Sequence, residues 1–291
     1  MRSHPAAVGA LAAFMLTGTS VAETPVTPVG NLGGGALVAP PRDIFGAGNA
    51  VVALRALPKR RLEIEATVRA GCAGGDISAS TKVAANGRFE AEGTATQEPG
   101  PALRIKTRYV LRGRFTTAGA AEGTLSATIE RSAGGRTKRC TTGMVKFGVR
   151  RPTSGVGTAG AIKSARYYGT TSQRGAGPSR PIVLRVSADG RRLTRGLFGE
   201  SVRCNDGKIS IGLEAPRTNI RIDSRGRVRD RDQFKITEGE TVVHVDDRFT
   251  AQLGSKGARG TFALSDRTTD RASGRTIQTC SSGTVRWRAA R

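Results

Sequence analysis

One phrase occurs twice in this chain, at an offset of 140 residues: Cys140 to Arg151 reads CTTGMVKFGVRR and Cys280 to Arg291 reads CSSGTVRWRAAR. Each phrase carries a cysteine, two small hydroxyls, a glycine and then alternating apolar and basic residues. The alternation puts Val145, Phe147 and Val149 on one face of an extended segment, and Val285, Trp287 and Ala289 on one face of its echo. A period of two is that of a strand with one buried face. The echo extends upstream. Arg114-Phe115-Thr116 and Gly123-Thr124 match Arg248-Phe249-Thr250 and Gly260-Thr261, Cys72 matches Cys204, and VALRALPKRRL from Val52 matches IVLRVSADGRRL from Ile182. A unit of that length is a domain and not a solenoid repeat. The expectation is a tandem duplication.

Other segments are also rich in β-branched residues: IVLRV from Ile182, RYVLRGRF from Arg108 and TVVHV from Thr241. Turn signals separate them at Ala85-Asn86-Gly87, Ala188-Asp189-Gly190 and Ser224-Arg225-Gly226. No sustained helical period occurs. The fold class is therefore all-β, with about seven or eight antiparallel strands per domain, as sandwiches or meander barrels. Periodicity does not separate these two. The expected organisation is a signal peptide over 1–22, a Pro/Gly-rich leader over 23–42, a β-domain over 43–151, a flexible linker over 152–160 and a second β-domain over 161–291.

The first segment has the three regions of an export signal: Arg2 and His4, an apolar run from Ala6 to Thr17, and Ser20-Val21-Ala22 as small residues for cleavage. The run is too short for a permanent span, which needs about 20 apolar residues. Export agrees with the four cysteines, two per repeat. Four cysteines allow three pairings, of which the simplest is Cys72 with Cys140 and Cys204 with Cys280. In the chain-entropy account each bridge contributes roughly 4 kcal/mol. That matters in a chain only 37% hydrophobic and 4% aromatic. Zinc ligation is disfavoured, because no CxxC pair occurs. No cofactor is expected.

The formal net charge is +24, spread evenly: 20 Lys and Arg against 10 acids over 23–152, and 26 against 13 from Thr153 onward. Such a surface attracts polyanions, with affinity falling as salt rises. The candidate residues are Arg221, Arg225, Arg227 and Arg229 in the densest run, and Arg286 and Arg288 on the outer face of the last strand. Outside the cytoplasm the partners would be anionic envelope polymers, acidic lipids, acidic polysaccharide or extracellular DNA. A compositional reading competes, since only nine of the 47 basic residues are Lys, the bias that guanine- and cytosine-rich coding DNA produces. Asp223 and Asp230 within the densest run also blunt its charge. Sequence-specific nucleic-acid binding is not expected, because stacking platforms need exposed aromatics. Tyr167 and Tyr168 are adjacent, so the expectation is one in the core and one exposed.

Catalytic residues are few. Beyond the leader His244 is the sole histidine, and the first repeat lacks its counterpart, so it reads as a surface residue. A glycan hydrolase needs only two carboxylates, which Asp246, Asp247, Glu238 and Glu240 would supply. No GxSxG, HExxH or phosphate loop stands in context.

YYGTTSQ at 167–173, IVLRVSADGRRL, Val202-Arg203-Cys204, GRV at 226, RFT at 248, GTF at 260 and the closing CSSGTVRW resemble an exported, disulfide-containing β-domain family of high-GC Gram-positive bacteria. The likeness is looser in the first repeat, where Phe45-Gly46-Ala47-Gly48 stands in place of YYGTTSQ. The resemblance implies fold and export and brings no activity or site residue. The functional expectation is an exported binding or envelope-associated protein holding an anionic polymer through its arginine-bearing strands, with a glycan hydrolase or a small-ligand barrel as alternatives.

Overall fold

The computed structural model describes residues 26–37, 48–100, 103–174, 177–214 and 219–291. The expected signal peptide lies outside them, as do residues 23–25 and 38–42 of the expected leader and the Phe45-Gly46-Ala47 segment. Among the described residues no helix is long and apolar enough to cross a membrane. All the regular elements among the described residues are strands, in two antiparallel sheets that curl into barrels.

The first barrel is built from β1 (Asn31–Ala36), β2 (Ala50–Leu57), β3 (Arg61–Ala70), β4 (Ala73–Lys82), β5 (Arg88–Gly100), β6 (Leu103–Thr117), β7 (Ala120–Ala133) and β8 (Arg136–Arg150). The order β4-β3-β2-β1-β8-β7-β6-β5 is a meander whose two edges are consecutive strands. Side chains bridge that seam: Thr81 Oγ1 donates to the Glu90 carbonyl at 2.7 Å, and Gln97 Nε2 donates to Asp76 Oδ2 at 2.6 Å. Alternating residues such as Leu62, Ile64, Leu111, Leu125 and Ile129 fill the interior.

The second barrel comprises β9 (Arg166–Arg174), β10 (Ser179–Val186), β11 (Arg192–Cys204), β12 (Ile209–Glu214), β13 (Ile220–Arg221), β14 (Arg227–Glu238), β15 (Thr241–Leu253), β16 (Gly257–Asp270), β17 (Thr276–Ser281) and β18 (Val285–Ala290). Its main order, β12-β11-β10-β9-β18-β16-β15-β14, follows the first barrel, except that the closing strand is broken into β17 and β18. The inside is packed with rings: Phe198 lies 4.3 Å from Phe262, and Phe249 lies 5.6 Å from Trp287, centroid to centroid.

The repeated phrase has a local explanation. Gly143 and Gly283 sit at φ 65° and 62°, where side chains are strained. Each glycine donates its N–H to the first hydroxyl of the phrase, Thr141 at 3.1 Å and Ser281 at 3.0 Å. The second hydroxyl, Thr142 or Ser282, donates to the glycine carbonyl and accepts the N–H of Ala127 or Leu264 on the neighbouring strand. Both barrels thus bulge at the same place. In the second the strand then leaves its hairpin partner far enough for β17 to pair with β11 as well as β16. The bridges join Cys72 to Cys140 and Cys204 to Cys280, each tying the third strand's end to the closing strand.

Two expectations about connectors are corrected. Residues 31–36 of the expected leader are β1, paired to both β2 and β8, and this strand takes the place that β9 fills in the second barrel. Its three consecutive glycines lack the usual strand look because neighbouring backbones crowd them. A Cβ at Gly33 would fall on the Gly169 carbonyl of β9, and one at Gly34 would lie 2.8 Å from Tyr168. The linker is not a hinge: Lys256 N–H donates to the Val156 carbonyl at 2.9 Å and Ser255 N–H to that of Thr158 at 3.0 Å. The two barrels meet back to back through Val51, Val183, Leu197 and Leu37, with Tyr168 against them, and through the Arg180–Glu65 ion pair at 2.8 Å. Gly33→Ala should lower stability by about 1–3 kcal/mol, since the added methyl has nowhere to go. Thermal unfolding checks this, and an unchanged midpoint would contradict the seating of β1 on β9.

Candidate functional site

The ladders of the second barrel place its arginines in rows on the outer surface. Directly opposed residues in an antiparallel pair share a face. One row runs Arg227, Gln252, Arg259, Arg288 across β14, β15, β16 and β18. The next runs Arg229, Thr250, Thr261, Arg286, and a third opposes Arg231 to Arg248. The inward residues between them, Val228, Phe249, Phe262 and Trp287, are buried. Thr250 and Thr261 hydrogen-bond at 2.8 Å in the middle of the face.

Charges on this face are not equally available. Arg227 is held by Asp223 at 2.6 Å, and Arg231 and Arg248 by Asp246 at 2.8 and 3.5 Å. Arg229, Arg259, Arg286 and Arg288 have no acid within ion-pairing distance among the described residues. Of the six arginines singled out in the sequence, Arg227, Arg229, Arg286 and Arg288 are brought together here. Arg221, on β13, and Arg225, in the turn before β14, lie apart from them. Arg248 and Arg259 were missed, because their place opposite the others follows from hairpin register and not from local sequence.

Three of these positions carry the opposite charge in the first barrel, while Arg88 and Lys146 keep the charge of Arg227 and Arg286. Gly87 accepts the Phe115 N–H at 3.0 Å as Gly226 accepts the Leu253 N–H at 2.8 Å, which aligns the two hairpins. The expected alignment of Arg114-Phe115-Thr116 with Arg248-Phe249-Thr250 is therefore four residues out of register, and Phe115 occupies the place of Leu253. The Gly123/Gly260 match holds, since each glycine lies under the ring opposite it, Phe147 or Trp287. In this alignment Glu90, Glu92, Glu122 and Glu130 stand where the second barrel has Arg229, Arg231, Arg259 and Arg267. The first barrel's face is internally neutralised, with Arg112 on Glu90 at 2.8 Å and Arg139 near Glu130 at 3.9 Å.

Two concavities flank the arginine face. A groove of about 660 Å³ beside Arg286 and Arg288 is lined by hydroxyls of Thr153, Thr170 and Ser172. At the opposite end, where β17 swings to β11, a basin of about 810 Å³ opens over the Cys204–Cys280 bridge. Lys235, His244 and Arg267 form one cross-strand row in it. His244 is half-buried, and partial burial with the nearby Lys235 and Arg267 charges holds its pKa below 6.5.

Of the acids named from the sequence, Asp247 and Glu240 do not pair with Asp246. Asp246 also accepts from Gln233, and its hydrogen bonds with Arg231 and Gln233 hold its pKa at about 2, unsuited to a general acid. Asp247, next in the chain, is buried on the opposite face and accepts the Asp232 N–H at 3.0 Å. Glu240 sits in the exposed turn between β14 and β15. The tyrosine expectation is corrected too. Tyr167 is core, donating to the Gly254 carbonyl at 3.0 Å, but Tyr168 packs between the barrels with Arg150 over its ring, because β9 is the strand that faces β1. Among the described residues no three His, Cys, Asp or Glu side chains converge as a metal site.

No family model matches the chain, and no curated protein matches it. Among solved structures it is similar to a protein of unknown function from the DUF3598 family of Nostoc punctiforme, at 10% identity over 90% of this chain and 96% of that one. The TM-score of 0.17 carries no argument about function.

The Asp246 ion pairs are testable. A folded pKa of about 2, against 3.8 for a free carboxyl, means that their contribution is complete above 3.8 and is lost as pH falls toward 2. Carboxyl chemical shifts should show Asp246 titrating near 2, and a midpoint at 3.8 or above would contradict the bridge.

Proposed function

We propose that the protein is an exported binding module that arose by tandem duplication and holds an anionic envelope polymer on the outer face of its second barrel. The observation that carries this reading is the exchange of four glutamates on the first barrel's face for Arg229, Arg231, Arg259 and Arg267 on the second. Compositional bias acts on both halves of a chain alike. It accounts for arginine over lysine, but not for acids in one half and arginines at matching places in the other.

Four uncompensated guanidiniums on a twisted sheet repel one another in the free protein, and a polyanion relieves that repulsion. Arginine suits phosphate and carboxylate because its planar fork donates two parallel hydrogen bonds. The hydroxyl-lined groove beside Arg286 and Arg288 adds uncharged donors and acceptors fit for a hydroxyl-bearing polymer. The barrel interiors are packed with apolar side chains, so the binding surface is external. Both disulfides and the leading segment suit an extracytoplasmic site.

The experiment is retention of the chain on immobilised polyanion across a salt series. Four charge contacts give a log–log slope of about −3 to −4, and each single Arg229→Ser, Arg259→Ser or Arg286→Ser variant should lower its magnitude by roughly 1. Retention that is independent of salt, or unaltered by all three substitutions, would overturn the reading.

A further inference from the structure

We infer that the basin at the disulfide end of the second barrel is a second, concave part of the same site, binding the terminal acidic sugars of the polymer. This rests on the polymer reading of the face. Along β14 the basin lies six residues beyond Arg229, about 20 Å at strand rise. A polymer on the arginine rows that follows the strands arrives there.

The chemistry of the basin is that of a saccharide acid. Lys235 on β14, Arg267 on β16 and Arg203 on β11 reach it from three strands, and none has an acid within ion-pairing distance among the described residues. Two acids line the same space. Asp246 is already engaged by Arg231 and Arg248. Asp266 opposes Val245 on the inner side of the ladder, and burial raises its pKa. The net field is therefore positive. Ser265, Ser281 and Gln233 share the face of Lys235 and Arg267 and supply the hydroxyl and amide groups that sugar hydroxyls need. A volume of about 810 Å³ lies within the range of small-ligand sites.

The matching end of the first barrel is built differently. Its closing strand is continuous, and the row matching Lys235, His244, Arg267 and Thr279 is Thr96, Lys106, Glu130 and Arg139, with the last two ion-paired. The broken strand and the exchange of Glu130 for Arg267 thus concern the same place.

The test is calorimetric titration of the full chain with digalacturonate, an acidic disaccharide too short to span the arginine face. Saturable binding of one ligand per chain is expected, with no binding of the neutral disaccharide galactobiose. The exposed pair K235Q/R267Q should weaken it about tenfold or more, the cost of charge-assisted bonds, whereas R112Q/R139Q on the first barrel should leave it unchanged. Absence of saturable binding, equal binding by K235Q/R267Q, or full displacement by an equal concentration of orthophosphate would overturn the inference. Salt-dependent retention on polyanion that survives any of those results leaves the polymer reading standing, so the two fail separately.

Discussion

The ring stack inside the second barrel fixes what appears outside it. Phe249 and Phe262 oppose each other directly across β15 and β16, and Trp287 lies over Gly260. Side chains alternate along a strand, so a slip of one residue would put these rings in water and their basic neighbours in the core. Burying a ring side chain stabilises the fold by about 1.5–3 kcal/mol, which makes the slipped register inaccessible. Thr250, Thr261, Arg286 and Arg288 therefore point outward because Phe249, Phe262 and Trp287 point inward.

On that scaffold the electrostatics differ between barrels. The first barrel's outer face mixes signs, which lowers self-repulsion and blunts attraction for any polyanion. The second concentrates one sign, with Asp246 spent on two of its arginines. Concentrated charge costs stability in the free protein and adds affinity and speed of encounter in the complex. The break between β17 and β18 adds shape to charge, since pairing of β17 with β11 is what makes the disulfide end concave.

Much of this was legible in the sequence. Val285-Arg286-Trp287-Arg288 shows its two faces at sight, and the cysteine pairing follows from their matching places. β1 was hidden because Gly33, Gly34 and Gly35 look like a loop, while the reason for them is a close approach of backbones from both barrels. Arg259 and Arg267 were not found, since nothing near them in the chain shows that they lie beside Arg288 and Lys235. The repeated Arg-Phe-Thr was misaligned because inward aromatic places need only an apolar side chain, and Leu253 serves where Phe115 does.

The central claim is that position on the second barrel, and not overall charge, makes the binding surface. A chain carrying R229E, R231E, R259E and R267E together with E90R, E92R, E122R and E130R keeps the net charge of +24. Crosslinking of a bound polyanion, mapped by peptide mass, reads where it lies. The account predicts contact on β14, β15, β16 and β18 in the original chain and transfer to β5–β8 in the exchanged one, whereas an unchanged map, or contacts scattered over both barrels in the original chain, would contradict it.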